Sequence, residues 1–229
     1  MGSISRRTTG ECQRITIEVE EGDHLVALLL LVENEVVKCV FLVGAIGAGK
    51  STALKYLESK GAEILSADAI VHQLYEKDSD LIQEIGEAFP GVVDESLRVN
   101  RHLLATHLLS NPECFPVLEK LVHPKVRAEL IRVMKTSKAN VLVYELPIAR
   151  DTTDFTTADA VILIEAQSAT RLERLITRGI FKEEALERMQ LHPNPFTPHD
   201  KPVYRIQNDG GESQLYFQLD AIWNELVHD

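Results

Sequence analysis

Val36-Val-Lys-Cys-Val-Phe-Leu-Val43 runs directly into Gly44-Ala-Ile-Gly47-Ala-Gly49-Lys50-Ser51 and on into Thr52-Ala-Leu-Lys-Tyr-Leu57. The first stretch is continuously apolar and rich in β-branched residues, the pattern of a strand buried on both faces of a parallel sheet. The last stretch carries good helix formers, so a helix is expected over 49–59. Between them the chain fits G-x-x-x-x-G-K-[ST]. Glycines let the backbone curl until successive N–H groups point inward at one anion. The helix that follows adds its own unpaired N–H groups and the positive end of its dipole. Residues Gly44, Ala45, Ile46, Gly47, Ala48, Gly49, Lys50, Ser51 and Thr52 are therefore expected to cradle the phosphates of a nucleotide. Lys50 is expected to reach the β- and γ-phosphates, Ser51 to ligate Mg²⁺, and Thr52 to approach the α-phosphate.

Outward from this loop the chain alternates strands and helices. Short apolar strands are expected at 63–65, 141–144, 160–164 and 203–206, with helices across 67–88, 100–136, 168–192 and 212–227. Pro90-Gly91 breaks the chain between two helical stretches. Such alternation implies an α/β fold, a parallel sheet covered by helices on both faces. Residues 1–35 are read as an N-terminal extension of unknown role and 36–229 as the main domain. Within the extension, 1–10 is polar and expected to be disordered, 14–20 alternates like a half-buried strand, and 24–32 is a second strand or a short helix.

Composition narrows the function. The chain has 229 residues and a net charge of −11, which disfavours non-specific binding to the nucleic-acid backbone. Cys12, Cys39 and Cys114 are widely spaced, which argues against a disulfide framework or a zinc site and fits a reducing cytoplasm. The longest apolar run, Leu25–Val32, is far short of the roughly twenty residues that span a membrane. The expected partner is a small molecule, with no nucleic acid and no membrane, and the expected state is a monomer or weak oligomer.

A guanine-reading Asn-Lys-x-Asp and a transporter-type Leu-Ser-Gly-Gly-Gln are both absent from the sequence. What is present suits a kinase, which positions its reactants and neutralises charge. Asp68 follows the second strand, at an edge of the sheet that lines the ligand crevice in open α/β folds. It can accept the proton of an attacking hydroxyl or hold a Mg²⁺-bound water, or it can be a helix N-cap. Glu145 ends the apolar strand 141–144 and is a second candidate for the metal. Arg171, Arg174 and Arg178 share one helical face, suited to a lid over ATP or to plain solvation. Arg101 and Arg188 are further cationic candidates. His123-Pro124 reads as a helix terminus.

Taken together, the chain from about Lys38 to Leu226 resembles the dephospho-coenzyme A kinase family. Gly44–Ser51 is similar to that family's loop, Ser66-Ala67-Asp68 to its Asp-Ala-Asp, and Arg101-His-Leu-Leu104 to its Arg-x-x-Leu. Leu118-Glu119, His123-Pro124 and Val126 match its Leu-Glu-x-x-x-His-Pro-x-Val in full. Val141–Glu145 with Pro147-Ile-Ala-Arg-Asp151 resembles its strand and following Pro-Leu-Leu-Phe-Glu, and Asn208-Asp-Gly210 its late Asn-x-Gly near the adenine. The resemblance implies a P-loop NTPase fold with five parallel strands in the order 2-3-1-4-5, and helical acceptor and lid regions near 70–136 and 168–192. It implies transfer of phosphate from ATP, with Mg²⁺, to the 3′-hydroxyl of dephospho-coenzyme A, the last step of coenzyme A biosynthesis. Lys50, Asp68 and Arg171 would be catalytic. Arg171, Arg178 and Asn208 would join the loop around ATP. Asp68, Arg101, His123 and Pro147 would meet the acceptor, and Ser51 and Glu145 the metal. The departures are Ser66 for an acid, Arg150 for an aromatic, His192 for the usual Gln, and a stretch at 192–202 with four prolines. Two other readings stay open: a related P-loop kinase of another nucleoside or nucleotide, and an ATP-binding regulatory module without catalysis.

Overall fold

The computed structural model describes residues 37–147, 149, 153–191, 197–198 and 200–228. The readings made for residues 1–35 and for Arg150 and His192 lie outside them. Strand β1 (Lys38–Gly44) is followed by α1 (Lys50–Ser59), β2 (Glu63–Ser66), α2 (Ala67–Lys77), α3 (Ser79–Ala88), α4 (Arg101–Ser110) and a short 3₁₀ turn, Pro112–Cys114. Next come α5 (Phe115–Thr136), β3 (Val141–Glu145), β4 (Ala160–Glu165), α6 (Ser168–Thr177), α7 (Lys182–Leu191), β5 (Val203–Gln207) and α8 (Glu212–His228).

The five strands form one sheet in the order β2-β3-β1-β4-β5, every neighbouring pair parallel. This is the order expected for a P-loop NTPase fold. The apolar run of β1 has the predicted cause: its successive side chains point to opposite faces and both faces are covered. Val40 and Leu42 pack with α1 and α8 residues such as Leu57 and Leu219. Cys39, Phe41 and Val43 pack on the other side with Leu130 of α5 and with Tyr144 and Phe155. All five of these β1 side chains are buried, and burial of each is worth roughly 1.5–3 kcal/mol for residues of their size. A third apolar cluster, including Tyr75, Leu81, Ile85, Phe89, Leu104 and Val122, joins α2 to α5 away from the sheet. The helical region expected near 70–136 thus has a core of its own.

One local expectation is corrected. His123 and Pro124 do not end a helix; they lie inside the 22-residue α5. Proline removes one rung of the helical ladder, and a long helix packed on both sides of the break survives that loss. Elsewhere the boundaries differ from expectation by one or two residues at most of the strand and helix ends.

In the sheet register Glu145 lies beside Leu42 on one side and Ser66 on the other, while Gly44 lies beside Ile164. The carboxyl ends of β1, β2, β3 and β4 therefore meet on one edge, and the loop that leaves β1 starts there.

Candidate active site

The loop from Gly44 to Ser51 is enclosed by other elements. Gly47 has φ of 78°, and a Cβ on it would sit 2.9 Å from the Arg171 carbonyl oxygen and 3.1 Å from the Arg171 Cα. Gly49, at φ of 107°, is the N-cap of α1 and faces the Asn208 side chain. Only glycine allows α6 and the 208 turn to close on the loop at these two places. Asn208, which is buried, donates from Nδ2 to the Ala48 carbonyl at 2.7 Å and from its amide to Glu165 at 2.8 Å. With the Ala48 carbonyl drawn outward to Asn208, the Gly49 amide of the same peptide is left for an anion, while the Ala48 amide donates within the loop to the Ala45 carbonyl at 3.1 Å.

Lys50 opens α1 and donates from Nζ to the Gly44 carbonyl at 2.7 Å. Burial pulls its pKa down, the charges of Glu145 and Asp68 pull it back up, and Arg178 adds to the lowering. Two carboxylates and a guanidinium thus act on the one ammonium. Glu145 is half-buried. Its carboxyl is pushed up by burial and by Asp68, and held down by Lys50 and by a hydrogen bond from the Ser66 side chain. Ser66 is the N-cap residue of α2, yet its hydroxyl serves Glu145 and makes no cap bond. Asp68 sits one residue inside α2, exposed, so the alternative reading of Asp68 as the N-cap fails.

Arg171 is 8% exposed, and its Nε and Nη1 are buried without a hydrogen-bond partner; Nη2 reaches only the Ser168 hydroxyl, at 3.4 Å. A buried guanidinium left unpaired is costly, and an anion brought to it recovers that cost. Arg174 is engaged differently. Its guanidinium lies 3.5 Å from the Gly47 carbonyl, 3.4 Å from that of Ala48 and 3.3 Å from that of Gly210. Arg188 pairs with Glu184 at 2.6 Å on the exposed side of α7, as a solvated helix face does.

Beside Asp68 a cavity of about 620 Å³ opens between α2, α5, the end of β3 and residues 153–157. Its wall is largely apolar and aromatic: Phe41, Tyr75, Tyr144, Val122 and Leu130 contribute. Asp68, His123, Pro124 and Pro147 also line it. Arg127 and Asp154, in the same wall, pair at 2.6 Å. Such a volume suits a ligand of cofactor size with a few polar groups to orient it. Arg101 does not line the cavity, but its charge acts on Tyr75, which does.

Residues 38–203 match the family of dephospho-CoA kinases. The chain belongs to that family. It is 31% identical over 189 residues to the dephospho-CoA kinase of Corynebacterium jeikeium, covering 81% of this chain and 97% of the relative. Identity to the Chlorobaculum tepidum dephospho-CoA kinase is 32% over 206 residues, 82% of this chain and 94% of the relative. Among solved structures a Thermus thermophilus protein superposes with a TM-score of 0.68 at 27% identity, over 83% of this chain and 98% of that one. As a member of the dephospho-CoA kinase family the chain is an ATP-dependent kinase of a small-molecule acceptor. Among the described residues no helix is long and apolar enough to cross a membrane.

For a kinase of this family the structure brings Asp68, Glu145 and Arg178 within electrostatic reach of Lys50, and Asp68 within reach of Glu145, and it sets Asp68, His123 and Pro147 on one cavity. Arg101 stands apart from that cavity. Asn208 lies against the loop, its side-chain amide donating to the Ala48 carbonyl. Sequence reasoning missed the Ser66–Glu145 bond, the Arg127–Asp154 pair and the role of Asp209 beside Asn208. The first follows from strand pairing. The other two join residues far apart in the chain, and no local pattern announces them.

Proposed function

We propose that this chain transfers the γ-phosphoryl group of ATP to the 3′-hydroxyl of dephospho-coenzyme A. The observation that carries the reading is the position of Asp68. It lines the acceptor-sized cavity, and its charge is felt at Lys50 of the phosphate loop. A hydroxyl presented from the cavity therefore meets a carboxylate and a phosphate-binding ammonium together.

In this reading the loop amides of residues 44–52 and Lys50 hold the phosphates of ATP, and Arg171 and Arg178 bring further positive charge from α6 and its end. The buried guanidinium of Arg171, with Nε and Nη1 unpaired among the described residues, supports such a role. Asp68 accepts the proton of the 3′-hydroxyl as its oxygen bonds to the γ-phosphorus. The bond from that phosphorus to the β–γ bridging oxygen breaks, and ADP leaves. Ser51 at the start of α1 and Glu145 at the end of β3 would hold Mg²⁺. A hydroxyl and one carboxylate are a fitting donor set, because Mg²⁺ completes its shell with water and substrate phosphate. Bound there, Mg²⁺ supplies charge neutralisation on the transferring phosphate. The region near 70–136, with His123 and Arg101, and Pro147 after β3 would shape the acceptor site, and 168–192 the lid. The free Cys39 and Cys114 and the net charge of −11 support a reducing cytoplasm and a small-molecule rather than nucleic-acid partner.

The test is ADP release from ATP with Mg²⁺ across a panel of acceptors, with the phosphorylated position read on the product. Turnover that depends on dephospho-coenzyme A and yields its 3′-phosphate is expected. Turnover with a free nucleoside or nucleotide but background rates with dephospho-coenzyme A would sink the reading, and so would ATP binding without turnover on any acceptor.

A further inference from the structure

A short turn between β5 and α8 holds two parts of the nucleotide site at once. Asn208 donates to the Ala48 carbonyl of the phosphate loop at 2.7 Å. The next residue, Asp209, accepts on Oδ1 from the Gln167 amide at 2.7 Å and from the Thr170 hydroxyl at 2.9 Å. Gln167 is the N-cap residue of α6 and makes no side-chain cap of its own, so Asp209 caps that helix from forty-odd residues away. The third residue, Gly210, offers its carbonyl to Arg174 of α6, and the same guanidinium spans the Gly47 and Ala48 carbonyls. The result is a closed circuit: loop to Asn208, Asp209 to the start of α6, and Arg174 of α6 back to both loop and turn.

The contacts from Arg174 are long, between 3.3 and 3.5 Å, so no single one is strong. Their geometry matters more. A planar guanidinium is a rigid fork of donors, and here one fork meets three backbone carbonyls. The Ala48 carbonyl drawn outward turns its peptide so that the Gly49 amide faces inward, while the amide of the Gly47–Ala48 peptide closes the loop on the Ala45 carbonyl at 3.1 Å. A further tie lies where the Arg171 backbone closes against Gly47, so that α6 and the loop touch directly as well. A side chain of Gln207 bonds to Asp209 and stiffens the turn from its other end.

We propose that Arg174 and Asp209 are positioning residues for the nucleotide: through the 207–210 turn they lock the phosphate loop to α6, so that the loop amides converge before a phosphate arrives. Neither residue needs to touch ATP. The inference rests on the reading of the loop as the ATP site and is independent of which alcohol accepts the phosphate.

The experiment measures equilibrium affinity for ATP and for ADP, without acceptor, in the full-length protein and in R174A, R174K, D209A, D209N and R174A/D209A, alongside the thermal midpoint of each. R174A is expected to weaken both nucleotides by one common factor, on the order of tenfold, within the range seen for residues that couple to a site without touching ligand. R174K should recover part of the loss. D209A should weaken both by about threefold, and D209N, which keeps an acceptor oxygen for the helix cap, should lie nearer the parent. The double variant should lose less than the product of the two single factors, because both act through one turn. A loss confined to ATP, with ADP unaffected, would overturn the proposal in favour of direct contact with the γ-phosphate. A lowered midpoint with unchanged affinities would overturn it in favour of a purely structural tie. If R174A does not fold, R174K and the Asp209 variants decide by the same readouts.

Discussion

The two halves of the site are built on different principles. On the nucleotide side, residues contiguous in sequence form a loop whose backbone is the binding surface. The neighbouring elements hold that backbone from outside, through Asn208 on the Ala48 carbonyl and Arg171 against Gly47. On the acceptor side, the cavity wall is assembled from side chains of β1, α2, α5, the end of β3 and residues 153–157. A phosphate can be read by amides alone, since every residue has one. A large, mixed ligand needs apolar faces and a few polar groups at chosen depths, and those must come from distant parts of the chain. Asp68 stands where the halves meet.

The largest effect should therefore come from Asp68→Asn, which keeps the shape and removes the proton acceptor. Turnover is expected to fall by about 10²- to 10⁴-fold, as for loss of a general base, while ATP affinity stays at the parent value. Rapid-quench turnover and equilibrium ATP binding check the two parts separately. A turnover rate within a few-fold of the parent would place Asp68 outside the chemistry and would separate the halves that it is held to join.

Gly47→Ala strikes the nucleotide half alone. Its Cβ would lie 2.9 Å from the Arg171 carbonyl at a φ of 78°, so α6 and the loop must part. Strain of this kind costs of order 1–3 kcal/mol. The expected outcome is ATP affinity weakened by roughly tenfold or more, at about 1.4 kcal/mol per decade, with the Michaelis constant for the acceptor close to the parent's. Isothermal titration with ATP and steady-state kinetics with varied acceptor check it. Equal losses on both substrates would mean that the halves are mechanically one.

The same difference decides how much could be read before the fold was known. The buried central strand and the loop were legible because β1 is apolar on both faces and the glycine spacing reports backbone geometry directly; the strand order followed from the family resemblance alone. Glu145 was legible as the residue after an apolar strand, and Asp68 as the residue beyond β2. His123-Pro124 was misread as a terminus. Proline usually ends a helix, and only the packing of α5 between the sheet and the third cluster carries it through. Arg171, Arg174 and Arg178 read alike from spacing, yet the fold gives them three fates: one is buried with two of its three guanidinium nitrogens unpaired among the described residues, one is spent on backbone carbonyls, and one lies exposed with its charge on Lys50. The Arg127–Asp154 pair in the cavity wall left no local trace, because an ion pair between separate loops and helices has no period.

The smallest effect belongs to the acceptor half. Asp78 joins α2 to α3: its Oδ1 accepts from the Leu81 amide at 2.9 Å as the N-cap of α3, and Lys125 of α5 donates to the same carboxylate at 3.1 Å. The Leu81 amide first, and then the Lys125 ammonium, hold this carboxyl below its ordinary range against some opposing burial. Asp80 and Glu84 also act on Lys125, so the pair sits in an acidic surrounding. A carboxyl depressed in the folded state contributes stability above its unfolded pKa of about 3.9, and that contribution is lost as pH falls through the lower folded value. Asp78→Ala should cost about 1 kcal/mol at neutral pH, the usual worth of an N-cap, and leave ATP affinity untouched. Urea melts of parent and variant at neutral pH and near pH 3 should show the gap between them shrinking on acidification. A gap that holds constant across that range would mean the carboxylate's charge plays no part in holding α3 and α5 to α2. An accompanying loss of ATP affinity would show that the acceptor wall reaches into the loop, contrary to the division drawn between the two halves.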